Sequence, residues 1–305
     1  MTNVIPISPH VNLGDLYFEG LKLYDSGGLK PGSSTGWHGV DQFYTVATGQ
    51  WTVVTGFPGS GKSEWLDALL VNLAEQDDGW FFALYSPENF PVATHLIKLV
   101  EKRMRKPFSA GPTERMTKQE YAAGASWVLE RFLWLETKLK APDELIQAAL
   151  TFGGEGKKLG IVLDPWNTLE HQRNGMNETD YISLILTEVT HLARAANAHV
   201  WLVVHPAKIY KDKVSGTRPV PTPYDISGSA HWYNKADNIV CVHRDQQEGG
   251  QDVQIHVQKV RFKHCGTVGG AVLKYDKVTG RYFEFRGVAG ERYMDPEANY
   301  AARRG

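Results

Sequence analysis

Trp51-Thr52-Val53-Val54-Thr55-Gly56-Phe57-Pro58-Gly59-Ser60-Gly61-Lys62-Ser63 is a short apolar run that breaks into the pattern GxxxxGK[ST]. The run reads as a buried strand. Beyond it, Lys62–Gln76 sets Trp65, Leu66, Leu69, Leu70 and Leu73 on one helical face. Strand, glycine-rich loop and helix, in that order, is the context in which this pattern cradles phosphate. The glycines let backbone N–H groups turn inward, and the helix N-terminus adds positive partial charge. Gly56, Phe57, Pro58, Gly59, Ser60, Gly61, Lys62 and Ser63 are therefore expected to hold the phosphates of ATP. Lys62 would reach the β and γ groups, and the Ser63 hydroxyl would ligate Mg²⁺.

The alternation continues on both sides of this loop. Trp80–Tyr85, Phe132–Glu136, Gly160–Asp164 and His199–Val204 read as strands. Pro91–Met104, Lys118–Arg131, Pro142–Phe152 and Asp180–Ala196 read as helices. Asn238–His243, Val253–Phe262, Ala271–Tyr275 and Arg281–Phe285 follow as strands with no long helical stretch between them. The pattern predicts an α/β fold: a mainly parallel sheet with helices on both faces and an antiparallel edge. Upstream, residues 1–12 read as a flexible arm. Leu13, Leu16, Tyr17, Leu21 and Tyr24 make residues 13–24 a short amphipathic helix, followed by a Gly/Ser/Pro linker. Such a helix cannot bury its apolar face alone, so it must dock on its own domain or on a neighbouring chain. The expected division is an arm and linker helix over 1–33, an ATPase domain over 34–290 and a tail over 291–305.

Composition narrows the class. The chain has 305 residues, 42% of them hydrophobic, with 33 basic against 34 acidic side chains and a net charge of −1. A globally basic nucleic-acid coat is excluded, although a local basic strip is not. Cys241 and Cys265 form no CxxC pair, so a disulfide framework or cysteine-rich zinc module is not expected. No apolar run is long enough to span a bilayer, and the N-terminus lacks a signal core. The expectation is a cytoplasmic protein without membrane partners, from a bacterial or phage-infected cell.

Three strand ends carry candidate chemistry, because ligands of parallel sheets lie beyond the strand C-termini. Asp164 ends Gly160-Ile161-Val162-Leu163 and would hold Mg²⁺ with Ser63; otherwise it starts the Asp164-Pro165 turn. Glu88, in Tyr85-Ser86-Pro87-Glu88-Asn89, could polarise the water that attacks the γ-phosphate, or could cap the next helix. His205 follows Val200–Val204 and could bond the γ-phosphate and report its loss. Further on, Lys259 and Arg261 alternate on a strand and so point to one face, with no acid at position 260. Two such cations suit a negative ligand, and Arg261 has the planar fork that stabilises charge on transferred phosphate; a solvated strand face is the alternative.

Together these pieces resemble the RecA-like motor domain of hexameric replicative helicases. The match is closest to the Twinkle-type branch and weaker to DnaB. It runs from about Ser34 to Tyr282 and is carried by six blocks in order. They are the phosphate loop, Ser86-Pro87-Glu88-Asn89, Val162-Leu163-Asp164-Pro165-Trp166-Asn167, His205-Pro206, Asp225-Ile226-Ser227-Gly228-Ser229-Ala230 and Lys259-Val260-Arg261-Phe262. The resemblance implies a ring, usually of six copies, with ATP and Mg²⁺ at each seam. Lys62, Ser63, Glu88, Asp164 and His205 would act from one subunit; Lys259 and Arg261 would reach across from the next. It implies a role for residues 13–24 as a helix docked on the adjacent subunit, and likens Tyr275 to an aromatic that stacks on the nucleotide base. It also implies 5′→3′ movement on single-stranded DNA and the unwinding of forked DNA. A primase, polymerase or loader would be a further partner.

For DNA, the resemblance points to Gly228 and Ser229. The residues themselves point to the loop carrying Lys208, Lys211, Lys213 and Arg218 against the single acid Asp212, and to Arg173 in a second polar loop. About 33 residues precede the match, so primase activity and a DnaB-type collar are not expected. A RecA-type recombinase, or another DNA-dependent ring ATPase that does not unwind, stays open. So do a nucleotide-gated clamp and a small-molecule kinase.

Overall fold

The computed structural model describes residues 13–135, 141–151, 156–171, 173, 175–207, 219–228, 230–244 and 251–284. A first helix, α1 (Leu13–Asp25), and the one-turn α2 (His38–Asp41) precede β1 (Trp51–Thr55) and α3 (Lys62–Gln76). Next come β2 (Trp80–Tyr85), α4 (Val92–Met104), α5 (Lys118–Leu129), β3 (Phe132–Trp134), α6 (Pro142–Leu150) and β4 (Lys158–Leu163). The chain continues through α7 (Glu178–Ala195), β5 (His199–Val204), α8 (His231–Lys235) and β6 (Asn238–His243). It closes with β7 (Asp252–Val260), β8 (Gly269–Tyr275) and β9 (Tyr282–Glu284).

The strands form one sheet in the order β3-β2-β4-β5-β1-β6-β7-β8-β9. Neighbours from β3 to β6 pair in parallel, and the remaining pairs are antiparallel. The change comes where crossover helices stop, since parallel neighbours need a long crossover and antiparallel ones do not. β1 and β5 are buried at every position, which is why they read as unbroken apolar runs. Successive side chains of β1 enter opposite cores. Val54 packs in the layer with Leu69 and Leu73 of α3 and Leu99 of α4, whereas Val53 packs with Leu145 of α6 and Leu186 and Val189 of α7. The predicted two-faced, mainly parallel architecture with an antiparallel edge is present.

Several boundaries differ from the sequence reading. α5 ends at Leu129 rather than Arg131, and α7 starts at Glu178 because the Asn177 side chain accepts the Asp180 N–H as its cap. β7 ends at Val260, so Arg261 lies just beyond the strand. The short helices α2 and α8 escaped notice because one turn offers no periodicity to read. Glu136, Phe152, Phe285, the arm over 1–12 and the tail over 291–305 lie outside the described residues. α1 forms where predicted, but its apolar side chains stay in solvent: Tyr17 is 65%, Phe18 62% and Tyr24 82% exposed. Docking of this helix on its own domain, one of the two expectations, is therefore not what the fold does.

At the N-terminal end of the central strands, His199 is wholly buried. Its Nδ1 lies 2.6 Å from the Ala47 carbonyl, which can only accept, so Nδ1 carries the proton. Nε2 then accepts from the Thr52 hydroxyl at 2.9 Å. Burial holds the imidazole down to about 4. An unfolded histidine takes its proton near 6.5, so between these values the unfolded state binds more protons and acid favours it. At pH 5 this group alone costs the fold about 2 kcal/mol. Nitrogen-detected NMR titration is expected to find His199 as the neutral Nδ1–H tautomer down to about pH 4; a transition near 6.5 would contradict the buried network.

Candidate functional site

The loop from Gly56 to Ser63 leaves the C-terminal end of β1, in the middle of the sheet, and enters α3. Gly56, Gly59 and Gly61 have φ of +143°, +78° and +94°, in the left-handed region open to glycine. A Cβ at Gly56 would stand 2.2 Å from the Val242 carbonyl oxygen of neighbouring β6, so the tight turn over that strand also demands glycine. Lys62 folds back inside the loop and donates to the carbonyls of Gly56 at 2.9 Å and Phe57 at 3.0 Å. Burial holds its ammonium below the usual lysine range, against the attraction of Asp164.

The ends of β1, β2, β4, β5 and β8 bring most of the predicted nucleotide residues to one cavity of about 530 Å³. Pro58, Gly59, Gly61, Lys62, Ser63, Glu88, Asp164, His205 and Tyr275 all line it. Gly56, Phe57 and Ser60 form the loop behind this wall. Glu88 is exposed at the turn after β2, and the helix after that turn is capped by Pro91, so a capping role for Glu88 is not realised. Asp164 is buried and accepts a hydrogen bond from the Ser63 side chain. Burial pushes its carboxyl up to about 6, against that bond and the attraction of Lys62. Burial, then repulsion from Lys62, holds His205 below the usual imidazole range and favours the neutral ring, against the attraction of Glu88.

These groups suit a magnesium nucleotide. A hydroxyl and a carboxylate stand side by side as oxygen donors, the type Mg²⁺ prefers. The incompletely compensated charge of Asp164 is what a dication would complete. Thr55 Oγ1, Ser60 Oγ and His205 Nδ1 are buried without a hydrogen-bond partner around the loop, among the described residues. Orphan polar atoms of this kind mark a place for a polar ligand.

Sequence reading missed Glu64, Asn89, Lys98, Arg244 and Tyr282, which also line the cavity. Arg244 follows the end of β6, so the strand-end rule would have found it. Its guanidinium lies 5.9 Å above the Tyr275 ring, and Tyr275 packs against Tyr282 with ring centres 5.1 Å apart.

Lys259 and Arg261 do not line the cavity of their own chain. Both reach the C-terminal end of α8. Lys259 donates to the Tyr233 and Asn234 carbonyls; Arg261 donates to those of Asn234 (3.1 Å), Lys235 (2.9 Å) and Ala236 (3.2 Å). The pair does share one side, as the alternation predicted. It is not without an acid, however: Arg261 Nε is 3.1 Å from the fully buried carboxylate of Asp237. That partner comes from the lead into β6, not from position 260.

Of the DNA candidates, Arg173 is exposed and pairs with Glu178 at 3.4 Å. Gly228 has φ +97°, and its carbonyl accepts from the Thr179 hydroxyl at 3.3 Å. Lys208, Lys211, Lys213, Arg218 and Ser229 lie outside the described residues. A second cavity, of about 300 Å³, lies between Arg173, Ser227 and Trp166, and His205 lines both it and the first.

A relative, the Twinkle homolog protein of Arabidopsis thaliana described as chloroplastic/mitochondrial, is 40% identical over 293 residues, taking in 91% of this chain. Over most of its length the chain is similar to this Twinkle homolog, and its fold is RecA-like. It spans 40% of that relative's length. The fold is that of known helicase ATPase domains. One such ATPase domain, solved by itself, superposes with a TM-score of 0.77 at 15% identity, over 91% of this chain and 100% of that one. A DnaB-like replicative helicase, studied with its interactions with primase, superposes with a TM-score of 0.73 at 17% identity, over 92% of this chain and 69% of that one. No protein-family model matches. No helix among the described residues is long and apolar enough to cross a membrane. The plant relative's description lends no support to a bacterial or phage source for this chain.

Proposed function

We propose that this chain binds ATP with Mg²⁺ and couples its hydrolysis to movement on single-stranded DNA, as one subunit of a ring that separates duplex. The observation that carries this reading is the convergence of Lys62, Ser63, Glu88, Asp164 and His205 on one cavity, in a chain similar over most of its length to a Twinkle homolog. Loop N–H groups and Lys62 hold the phosphates, and Ser63 and Asp164 hold the metal. When bound, Mg²⁺ supplies positive charge to the phosphate oxygens. Glu88 takes a proton from water as the water oxygen bonds to the γ-phosphorus. The bond to the β–γ bridging oxygen breaks, and its electron pair leaves with ADP. Arg261 of the next subunit steadies the charge on the transferred group.

His205 forms a wall common to the nucleotide cavity and the one beside Arg173 and Ser227, a short route from phosphate loss to the DNA-facing segments. The unburied apolar face of α1 suits docking on a neighbouring copy. Opening duplex costs about 1.4 kcal/mol of stacking per base-pair step, within the reach of one ATP. A primase, polymerase or loader would join at the fork. The test is ATP turnover with and without single-stranded DNA, together with displacement of a labelled strand from a fork. Stimulated turnover with displacement is expected. Turnover with nucleotide-dependent filaments and no displacement would favour a recombinase, and no turnover at all would overturn the reading.

A further inference from the structure

Glu88 stands third in the turn Ser86-Pro87-Glu88-Asn89, and a candidate base must be held in place to accept a proton. The turn is closed twice by its last residue. The Asn89 N–H donates to the Ser86 carbonyl at 3.1 Å, and Asn89 Nδ2 donates to Ser86 Oγ at 2.9 Å. The other end of the same amide, Oδ1, accepts from Lys98 Nζ of α4 at 3.0 Å. The reverse amide orientation would set an NH₂ against an ammonium, so Lys98 also fixes which way Asn89 faces. Lys98 is in turn anchored on the first turn of α3, with Nζ 2.9 Å from Glu64 Oε1. Glu64 comes two residues after Lys62. A continuous chain of polar contacts therefore runs from the phosphate-loop helix, through α4, to the turn that presents Glu88.

We propose that Lys98 is a positioning residue for the Glu88 carboxylate, acting through Asn89 and anchored to the phosphate-loop helix by Glu64. This rests on the reading of Glu88 as the base for ATP hydrolysis. The chain of contacts keeps the base turn in register with the loop that holds the phosphates, although β2 and β1 are not neighbours in the sheet. Removing Lys98 does not strand Glu64, whose Oε2 keeps the buried Lys102 at 2.6 Å. The fold should therefore survive the change.

The experiment compares wild type, Lys98→Met, Lys98→Arg, Asn89→Ala, Glu88→Gln and the double variant Lys98→Met/Glu88→Gln, by single-turnover ATP hydrolysis and by binding of a non-hydrolysable ATP analogue. Misplacing a reacting group by about 1 Å costs up to roughly 100-fold, so Lys98→Met and Asn89→Ala should lower the hydrolysis rate roughly 10- to 100-fold. Analogue affinity should change less than about threefold, and Lys98→Arg should recover most of the rate. In the Glu88→Gln background, Lys98→Met should cost less than about twofold, because a residue that acts through Glu88 has nothing left to position. Weakened analogue binding with an unchanged rate would make Lys98 a nucleotide contact and overturn the proposal, as would a full, additive loss in the double variant or no loss at all. Absence of hydrolysis in the wild type is a different result: it would remove the ATPase reading itself, and this proposal with it.

Discussion

Arg261→Ala is expected to lower ATP turnover of the assembled protein by about 10³-fold or more, the range in which arginine fingers act. In its own chain the guanidinium sits on three carbonyls at the C-terminal end of α8, the last of them that of the capping Ala236, and on the buried Asp237, away from the cavity lined by Lys62 and Glu88. A role in hydrolysis therefore requires a neighbour's nucleotide. Mixing decides between the two sites of action. Lys62→Ala spoils the cavity but keeps the finger, and Arg261→Ala does the reverse. In rings built from equal parts of both, about a quarter of the seams join an intact cavity to an intact finger. Activity should rise toward that fraction when two inactive variants are mixed. If Arg261 only caps α8 and neutralises Asp237, mixing restores nothing and Arg261→Ala melts at lower temperature instead. Arg261→Lys separates charge from shape, since lysine lacks the planar fork.

Glu88→Gln is expected to lower hydrolysis by roughly 10²–10⁴-fold while leaving nucleotide affinity nearly unchanged. Glutamine keeps the size and the hydrogen-bonding reach of the side chain but cannot take a proton from water. The carboxylate is exposed at a turn, where its loss leaves the packing of the core intact, so the effect belongs to the chemical step. Stopped-flow binding of a fluorescent ATP analogue, set beside single-turnover hydrolysis, separates the two quantities. Equal loss in binding and rate would move Glu88 from base to ligand.

The phosphate loop and the strand ends that bear Glu88, Asp164 and His205 were legible because their message is local. A strand of unbroken apolar residues, a glycine whose φ must be positive and an acid or imidazole within three residues of the strand end are all written in consecutive residues. Parallel pairing then carries every such strand end to the same edge of the sheet. The partners of Lys98 and Arg261 were not legible. Lys98 meets Asn89 nine positions away and Glu64 on another helix, and Arg261 meets Asp237 across a strand pair. Short helices such as α8 show too few turns for a period, so the carbonyls that receive Lys259 and Arg261 were also invisible.

The amino-acid order by itself determined the class of fold, the phosphate loop and the set of groups at the strand ends, because backbone geometry and side-chain alternation act over neighbouring residues. Only the tertiary structure decided that Asp164 is buried against Ser63, that Lys98 ties the base turn to α3 and that Arg261 rests on α8. Those facts depend on how helices pack and strands register at long range, where the energy of a contact is set by burial and distance and not by position along the chain.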